Sequence, residues 1–302
     1  MKSRTKFMKI LAITIIVLIS ITPNTVFLVT NKIHDERYPS LAGVRVAIYH
    51  GNAVLGAADS YVALEHMFKW MGASVDYISP KQVQDGGLIT YKIFVMPGGS
   101  PDSYAYELGD DGMANIKSFV EMGGVYFGIC GGAILALGSY LNLFTGYMYP
   151  APIPGSTGTS RLINMTVNRN SAGPNLSNEP KQYCTLYWGS MYFDHYGNDV
   201  VPIMKYPQND KPGMIAFQKG LGTVFISSPH PEFEEGSTRD GTTSFDSYND
   251  PDSEWGLLLK VSKWLVDTSN FKLFLLWFGI SVIVILAFIG IIILKKKRSL
   301  AK

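Results

Sequence analysis

The stretch YFGICGGAIL, residues 126–135, sets one of the chain's two cysteines between glycines. An apolar run enters it (VYFGI, 125–129) and another leaves it (AILAL, 133–137). A strand that passes into a helix through one sharp turn needs small residues on either side, because the backbone there is crowded. Gly128 and Gly132 stand two residues before and two after Cys130, the pattern of a nucleophile elbow. A helix starting at the turn lowers the thiol pKa. The same G-x-C-x-G pattern also fits a tight structural turn holding an inert thiol, so the choice depends on whether the chain supplies a base.

Only five histidines are present. His34 falls in a polar linker, His66 falls mid-helix, and His195 lies in the loop-like YFDHYGND. His50 closes the first predicted strand and borders the predicted site. His230 occurs in VFISSPHPEFEEG, after an apolar strand, with Glu232 two residues on. In extended chain, residues i and i+2 face the same way, so Glu232 can orient the His230 imidazole toward a thiol.

Around these motifs the chain alternates strand and helix. VRVAIYH (44–50) reads as a strand, 57–71 as an amphipathic helix stopped by Gly72, ASVDYIS and YKIFVMP as strands, and 112–122 as a second helix stopped by Gly123-Gly124. Such alternation indicates an α/β fold with a doubly wound, mostly parallel sheet, whose sites lie at the carboxyl ends of strands. YHGN, PGGS and GICGG all fall there. Beyond residue 140, short apolar runs predict a mixed or antiparallel extension that returns to the main sheet through LGTVFISS, and 253–267 predicts a last amphipathic helix.

The chain's 302 residues carry 26 Lys and Arg against 24 Asp and Glu. Ten of those bases sit in residues 1–30 and 272–302, which hold no acid, so the middle is acidic, with 16 bases against 24 acids. That distribution excludes a nucleic-acid partner, which calls for a basic face. Residues 1–30 have the basic n-region and apolar stretch of a signal peptide or signal anchor, and 31–43 read as a linker. Leu273–Leu294 is a run of 22 uncharged residues followed by Lys295, Lys296, Lys297 and Arg298. That run predicts a transmembrane helix over 272–294 with a basic cytoplasmic tail at 295–302. The expectation is thus a domain at 44–269 with flanking transmembrane segments, lying in contact with the lipid bilayer and facing the extracytoplasmic side.

GICGG, MPGGS and SSPHPE, in this order and on this strand pattern, resemble the class I glutamine amidotransferase-like superfamily. More narrowly, VAIYHGN, VMPGGSPDSY and FVEMGGVYFGICGGA look like the amidotransferase-like domain at the N-terminus of biotin-protein ligases. The resemblance implies a flavodoxin-like sheet and a triad of Cys130 as nucleophile, His230 as base and Glu232 as its orienter. Working glutamine amidotransferases of that superfamily usually follow the elbow with a glycine and then a glutamine that helps hold the substrate, where this chain has Gly132-Ala133-Ile134.

The amides of Gly131 and of Gly98 or Gly99 are candidates for an oxyanion hole, since glycine permits close approach. His50, Asn52, Trp188 and Tyr192 are candidates for a pocket wall. The acid-rich PEFEEGSTRDGTTSFDSYNDPDSE lacks the D-x-D-x-D-G-x5-E spacing of a calcium loop and reads as solvated, so no metal or cofactor is expected. The expected function is a thiol hydrolase or amidase acting on a small-molecule or peptide amide, a γ-glutamyl bond included. The alternative is a non-catalytic ligand- or protein-binding module on the same fold. A Cys130–Cys184 disulfide would exclude the first.

Overall fold

The structure, a computed structural model, describes residues 40–54, 59–151, 153, 159–250, 252–270, 279, 280 and 286. Eleven strands are described: β1 Arg45–Tyr49, β2 Ser74–Ile78, β3 Ile93–Met96, β4 Val125–Ile129, β5 Tyr147–Pro150, β6 Ser160–Val167, β7 Gln182–Trp188, β8 Met191–Asp194, β9 Val201–Lys205, β10 Pro212–Lys219 and β11 Gly222–Ser227. The helices are α1 Ser60–Trp70, α2 Pro80–Gln84, α3 Pro101–Glu121, α4 Gly131–Leu135 and α5, residues 255–270.

Nine strands form one sheet in the order β2-β1-β3-β4-β11-β10-β9-β6-β7. From β2 to β11 the neighbours run parallel, and from β11 to β7 they run antiparallel. The sheet is therefore mixed rather than mostly parallel. The predicted return of LGTVFISS is found as β11 alongside β4. β5 and β8 pair separately as a two-stranded ribbon.

Two-residue periodicity divides the strand side chains between two layers. Val46 and Ile48, with Ile93, Val95, Val125, Phe127 and Ile129, pack with α1 and α5. Ala47, Tyr49, Phe94, Met96 and Tyr126 pack with α2, α3 and α4. Strands β3, β4 and β11 are buried along their whole length, which is why they read as unbroken apolar runs. Helix α3 begins eleven residues before the expected 112, with Ser100 as N-cap accepting from the Ser103 amide at 3.3 Å and Pro101 in its first turn. Gly109, at φ 56°, interrupts it with a kink.

The expected flanking transmembrane segments and the extracytoplasmic, membrane-anchored placement are not supported. Among the described residues no helix is long and apolar enough to cross a membrane. The signal-like residues 1–30 and nearly all of 272–302 lie outside the described residues.

Phe127 is fully buried, with Phe68 of α1 at 5.2 Å and Phe225 of β11 at 4.6 Å between ring centroids. Phe127→Ala is expected to lower unfolding free energy by about 3–5 kcal/mol in urea titration. A loss below about 1 kcal/mol would contradict this packing.

Candidate active site

The site begins where β4 ends. Cys130 occupies φ 50°, ψ −107°, a conformation that costs a side-chain-bearing residue about 1–3 kcal/mol and persists only where its surroundings enforce it. The enforcing contacts are specific. The Cys130 amide donates to the Ser227 carbonyl at 2.8 Å, and its carbonyl accepts from the Ile134 amide at 3.0 Å. A Cβ at Gly131 would come within 1.9 Å of the Gly99 carbonyl oxygen, and one at Gly132 within 2.2 Å of the Met96 carbonyl oxygen. One at Gly128 would lie 2.6 Å from the Gly132 carbonyl oxygen. Glycine at these positions is therefore a steric requirement of the elbow.

Parallel pairing of β11 with β4 sets Ser227 opposite Ile129, so the chain leaving β11 emerges level with Cys130. His230 follows three residues later, almost fully buried, its amide donating to the Leu186 carbonyl of β7 at 2.9 Å. Its Nδ1 lies 2.9 Å from Oε1 of Glu232, which is wholly buried. The same carboxylate oxygen accepts the Ser60 hydroxyl at 2.7 Å, and Ser60 Oγ accepts the Gly98 amide at 3.0 Å. Trp255 Nε1 donates to the Glu232 backbone carbonyl at 3.0 Å. Trp188 and Phe233 flank the imidazole at 5.7 and 5.9 Å.

With Nδ1 donating to Glu232, Nε2 is the nitrogen left to exchange a proton. It is buried and closes no hydrogen bond of ordinary geometry among the described residues, yet it is close enough to the thiol that each group shifts the other's proton affinity. Burial alone would push the Cys130 thiol up. His230, helped by the Gly131 amide, outweighs burial and the opposing Glu232 charge and holds the thiol below its ordinary range. Burial likewise works against the imidazolium, but the charges of Glu232 and Cys130 outweigh it and raise His230 to about 10. The pair thus favours thiolate and imidazolium over thiol and imidazole. Helix α4 has only five residues, so His230 rather than a helix terminus is the main source of thiol activation.

The other predicted residues are placed unevenly. Gly99, at φ 153°, packs its backbone against Gly131, and among the described residues no acceptor takes its amide. The Gly98 amide is instead held by Ser60, which removes it as an oxyanion donor. Trp188 lies against His230. Tyr192 stacks on Tyr149 at 5.6 Å and packs on the apolar cluster that Cys130 also touches. The His50 ring lies 5.0 Å from both Tyr61 and Tyr77, and Asn52 is exposed; neither is brought to the triad by any described contact. Cys130 and Cys184 are both free thiols, and Cys184, on β7, is pushed up to about 12 by burial and neighbouring acids.

Ser60 and Trp255 have no counterpart in the sequence reading. Ser60 opens α1 after Asp59 and reads as an ordinary helix start; its partner Glu232 is 172 residues away.

Residues 44–141, from β1 past α4, match the family model described as biotin-protein ligase, N terminal. An uncharacterized protein of Chlamydia muridarum (strain MoPn / Nigg) is 25% identical over 167 residues, covering 48% of this chain and 61% of that protein's length. Among solved structures, a glutamine amidotransferase is 18% identical with a TM-score of 0.46, covering 62% of this chain and 90% of that one. A glutamine amidotransferase of Thermotoga maritima is 17% identical with a TM-score of 0.45, covering 75% of this chain and 96% of that one. The strand order around the Cys130 elbow and the match over 44–141 identify this chain's fold as class I glutamine amidotransferase-like, with a biotin-protein ligase N-terminal-like domain.

Proposed function

We propose that the chain is a cysteine-dependent hydrolase or amidase acting on an amide, of the γ-glutamyl or peptide-like kind. The observation that carries this reading is the strained Cys130 held beside a fully buried His230 whose Nδ1 is fixed by Glu232 at 2.9 Å. The Cys130 thiolate attacks the carbonyl carbon, and the oxyanion that forms is met by the Gly131 and Gly99 amides. His230 gives its Nε2 proton to the leaving amine as the C–N bond breaks, which leaves a thioester. Water attacks the thioester, His230 takes the water proton, and the acid leaves as Cys130 is regenerated. Glu232 keeps Nδ1 protonated throughout. Ser60 fixes the Glu232 carboxylate and acts as a positioning residue.

The absence of glutamine at Ala133-Ile134 removes one substrate-holding side chain of the glutamine-using enzymes, and Ala133 is itself fully buried. Recognition of the acyl group then falls to Trp188 and to the backbone of the PGGS loop.

In a Cys184→Ser background, iodoacetamide alkylation followed by mass spectrometry reads Cys130 alone. Its rate is expected to rise with an inflection below the ~8.5 of a free thiol, with a second change near pH 10 as His230 loses its proton. His230→Ala is expected to move the first inflection above the free-thiol value, because burial then acts unopposed. An inflection at the free-thiol value, unchanged by the substitution, would remove the nucleophile from the proposal and favour a binding module.

Ser60→Ala leaves the Gly98 amide without its acceptor and Glu232 Oε1 with one donor instead of two. A stability loss of about 1–3 kcal/mol is expected from thermal or urea unfolding. Wild-type stability in this variant would show that the buried relay is not formed.

A further inference from the structure

The acid-rich segment after the triad is not the solvated loop that its composition predicts. Glu235 is 5% exposed and Glu254 1% exposed, and Asp250 is half-buried. One carboxylate oxygen from each of Asp250, Asp252 and Glu254 lies within 4.8 Å of the others, in a group containing neither histidine nor cysteine. Proximity of acids is not by itself a site. The second observation is that Glu235 Oε1, Glu254 Oε1 and Asp250 Oδ2 are shut away from water, as is Oγ1 of the wholly buried Thr185. None of these four oxygens has a hydrogen-bond partner among the described residues.

A buried polar oxygen without a donor costs about 1–3 kcal/mol, and more when it is charged. Here several of them face one another. Glu235 is acted on by Asp250, and Glu254 by Glu235, Asp250 and the Thr185 hydroxyl. The segment is otherwise well ordered by its own bonds. The Asp252 carboxylate accepts the Cys184 amide of β7 at 3.1 Å, and Asp250 Oδ1 accepts the Asp252 amide at 2.9 Å. These contacts fix Asp250 and Asp252 in place and leave Asp250 Oδ2 and Glu254 Oε1 without a hydrogen-bond partner among the described residues.

We propose that Asp250, Asp252 and Glu254, with the Thr185 hydroxyl, bind a calcium ion. A set of oxygens drawn from carboxylates and a hydroxyl suits a hard cation, and calcium accepts six to eight such ligands in irregular geometry, whereas magnesium demands a near-ideal octahedron. The ion would tie the lead into α5 to β7. Glu254 precedes Trp255, whose indole holds the Glu232 carbonyl. The role is thus to brace the acid end of the His230–Glu232–Ser60 relay from outside it. The proposal stands independently of whether the triad turns over a substrate.

The test uses the full chain after chelator treatment. Terbium, as a calcium mimic, is excited through tryptophan, and the neighbouring Trp255 makes the luminescence report on this site. Expected results are a terbium signal that calcium displaces at lower concentration than magnesium, and a calcium-dependent rise in melting temperature. Asp252→Asn alters an exposed residue while keeping an oxygen for the Cys184 amide, so its folding is secure; it is expected to weaken calcium binding at least about tenfold, as is Glu254→Gln. No terbium signal and no thermal shift at millimolar calcium would overturn the proposal. So would wild-type affinity in both variants, or magnesium binding as tightly as calcium.

Discussion

The contact on which the site depends is between two backbones. Gly131 lies so close to Gly99 that a single added carbon would meet the Gly99 carbonyl oxygen at 1.9 Å. The close approach allows β4 to turn into α4 through one residue, and that residue, Cys130, takes up the strain as φ 50°. It also couples adjacent strands: the loop after β3 supplies Gly99 and the loop after β4 supplies Gly131, so the ends of β3 and β4 are held together by one contact. Side chains in either loop would separate the strands' ends before they affected the core beneath.

The rest of the triad follows from sheet register. β11 enters between β4 and the antiparallel strands, and its pairing of Ser227 with Ile129 brings the chain out beside the elbow, one hundred residues after it. A slip of one residue in that register would turn the inward side chains outward and carry His230 away from Cys130. The buried imidazole and carboxylate are tolerated because the side chains hold each other and Ser60 adds a second donor to Glu232, while Leu186 and the Trp255 indole fix the two residues' backbones. Breaking such a buried pair by removing one member costs about 3–5 kcal/mol, since the other is left uncompensated. The arrangement therefore specifies orientation more than it adds stability.

Local features were legible in the sequence, and long-range ones were not. G-x-C-x-G and H-x-E could be read because the elbow's crowding and the alternation of an extended chain act over five residues or fewer. The first half of α3 was hidden by PGGS, which reads as loop although Ser100 and Pro101 are a helix cap and first-turn residue, and by Gly109, which breaks the helical period. Ser60 and Trp255 reach Glu232 from 172 and 23 residues away, and nothing local marks either. His50 ends a strand at the expected edge of the sheet, but its ring is taken up by Tyr61 and Tyr77, a competition invisible until α1 and β2 are in place. The apolar run at 273–294, the clearest pattern in the chain, lies almost entirely outside the described residues, among which no helix is long and apolar enough to cross a membrane.

Glu232 and Glu235 show how little burial alone determines. They are three residues apart in the loop after β11 and are almost equally hidden from water. Glu232 is given donors, an imidazole and a hydroxyl on one oxygen, and so can serve as the fixed anion behind His230. Glu235 is given chiefly carboxylates as neighbours; burial, with their repulsion added, pushes it up to about 8. The loop after β11 thus builds one acid that the fold compensates on Oε1 alone and one that the fold leaves to a proton or a cation. Because Glu254 belongs to the uncompensated group and Trp255 to the compensated one, any positive charge accepted by the first group bears, through one peptide link, on the geometry of the second.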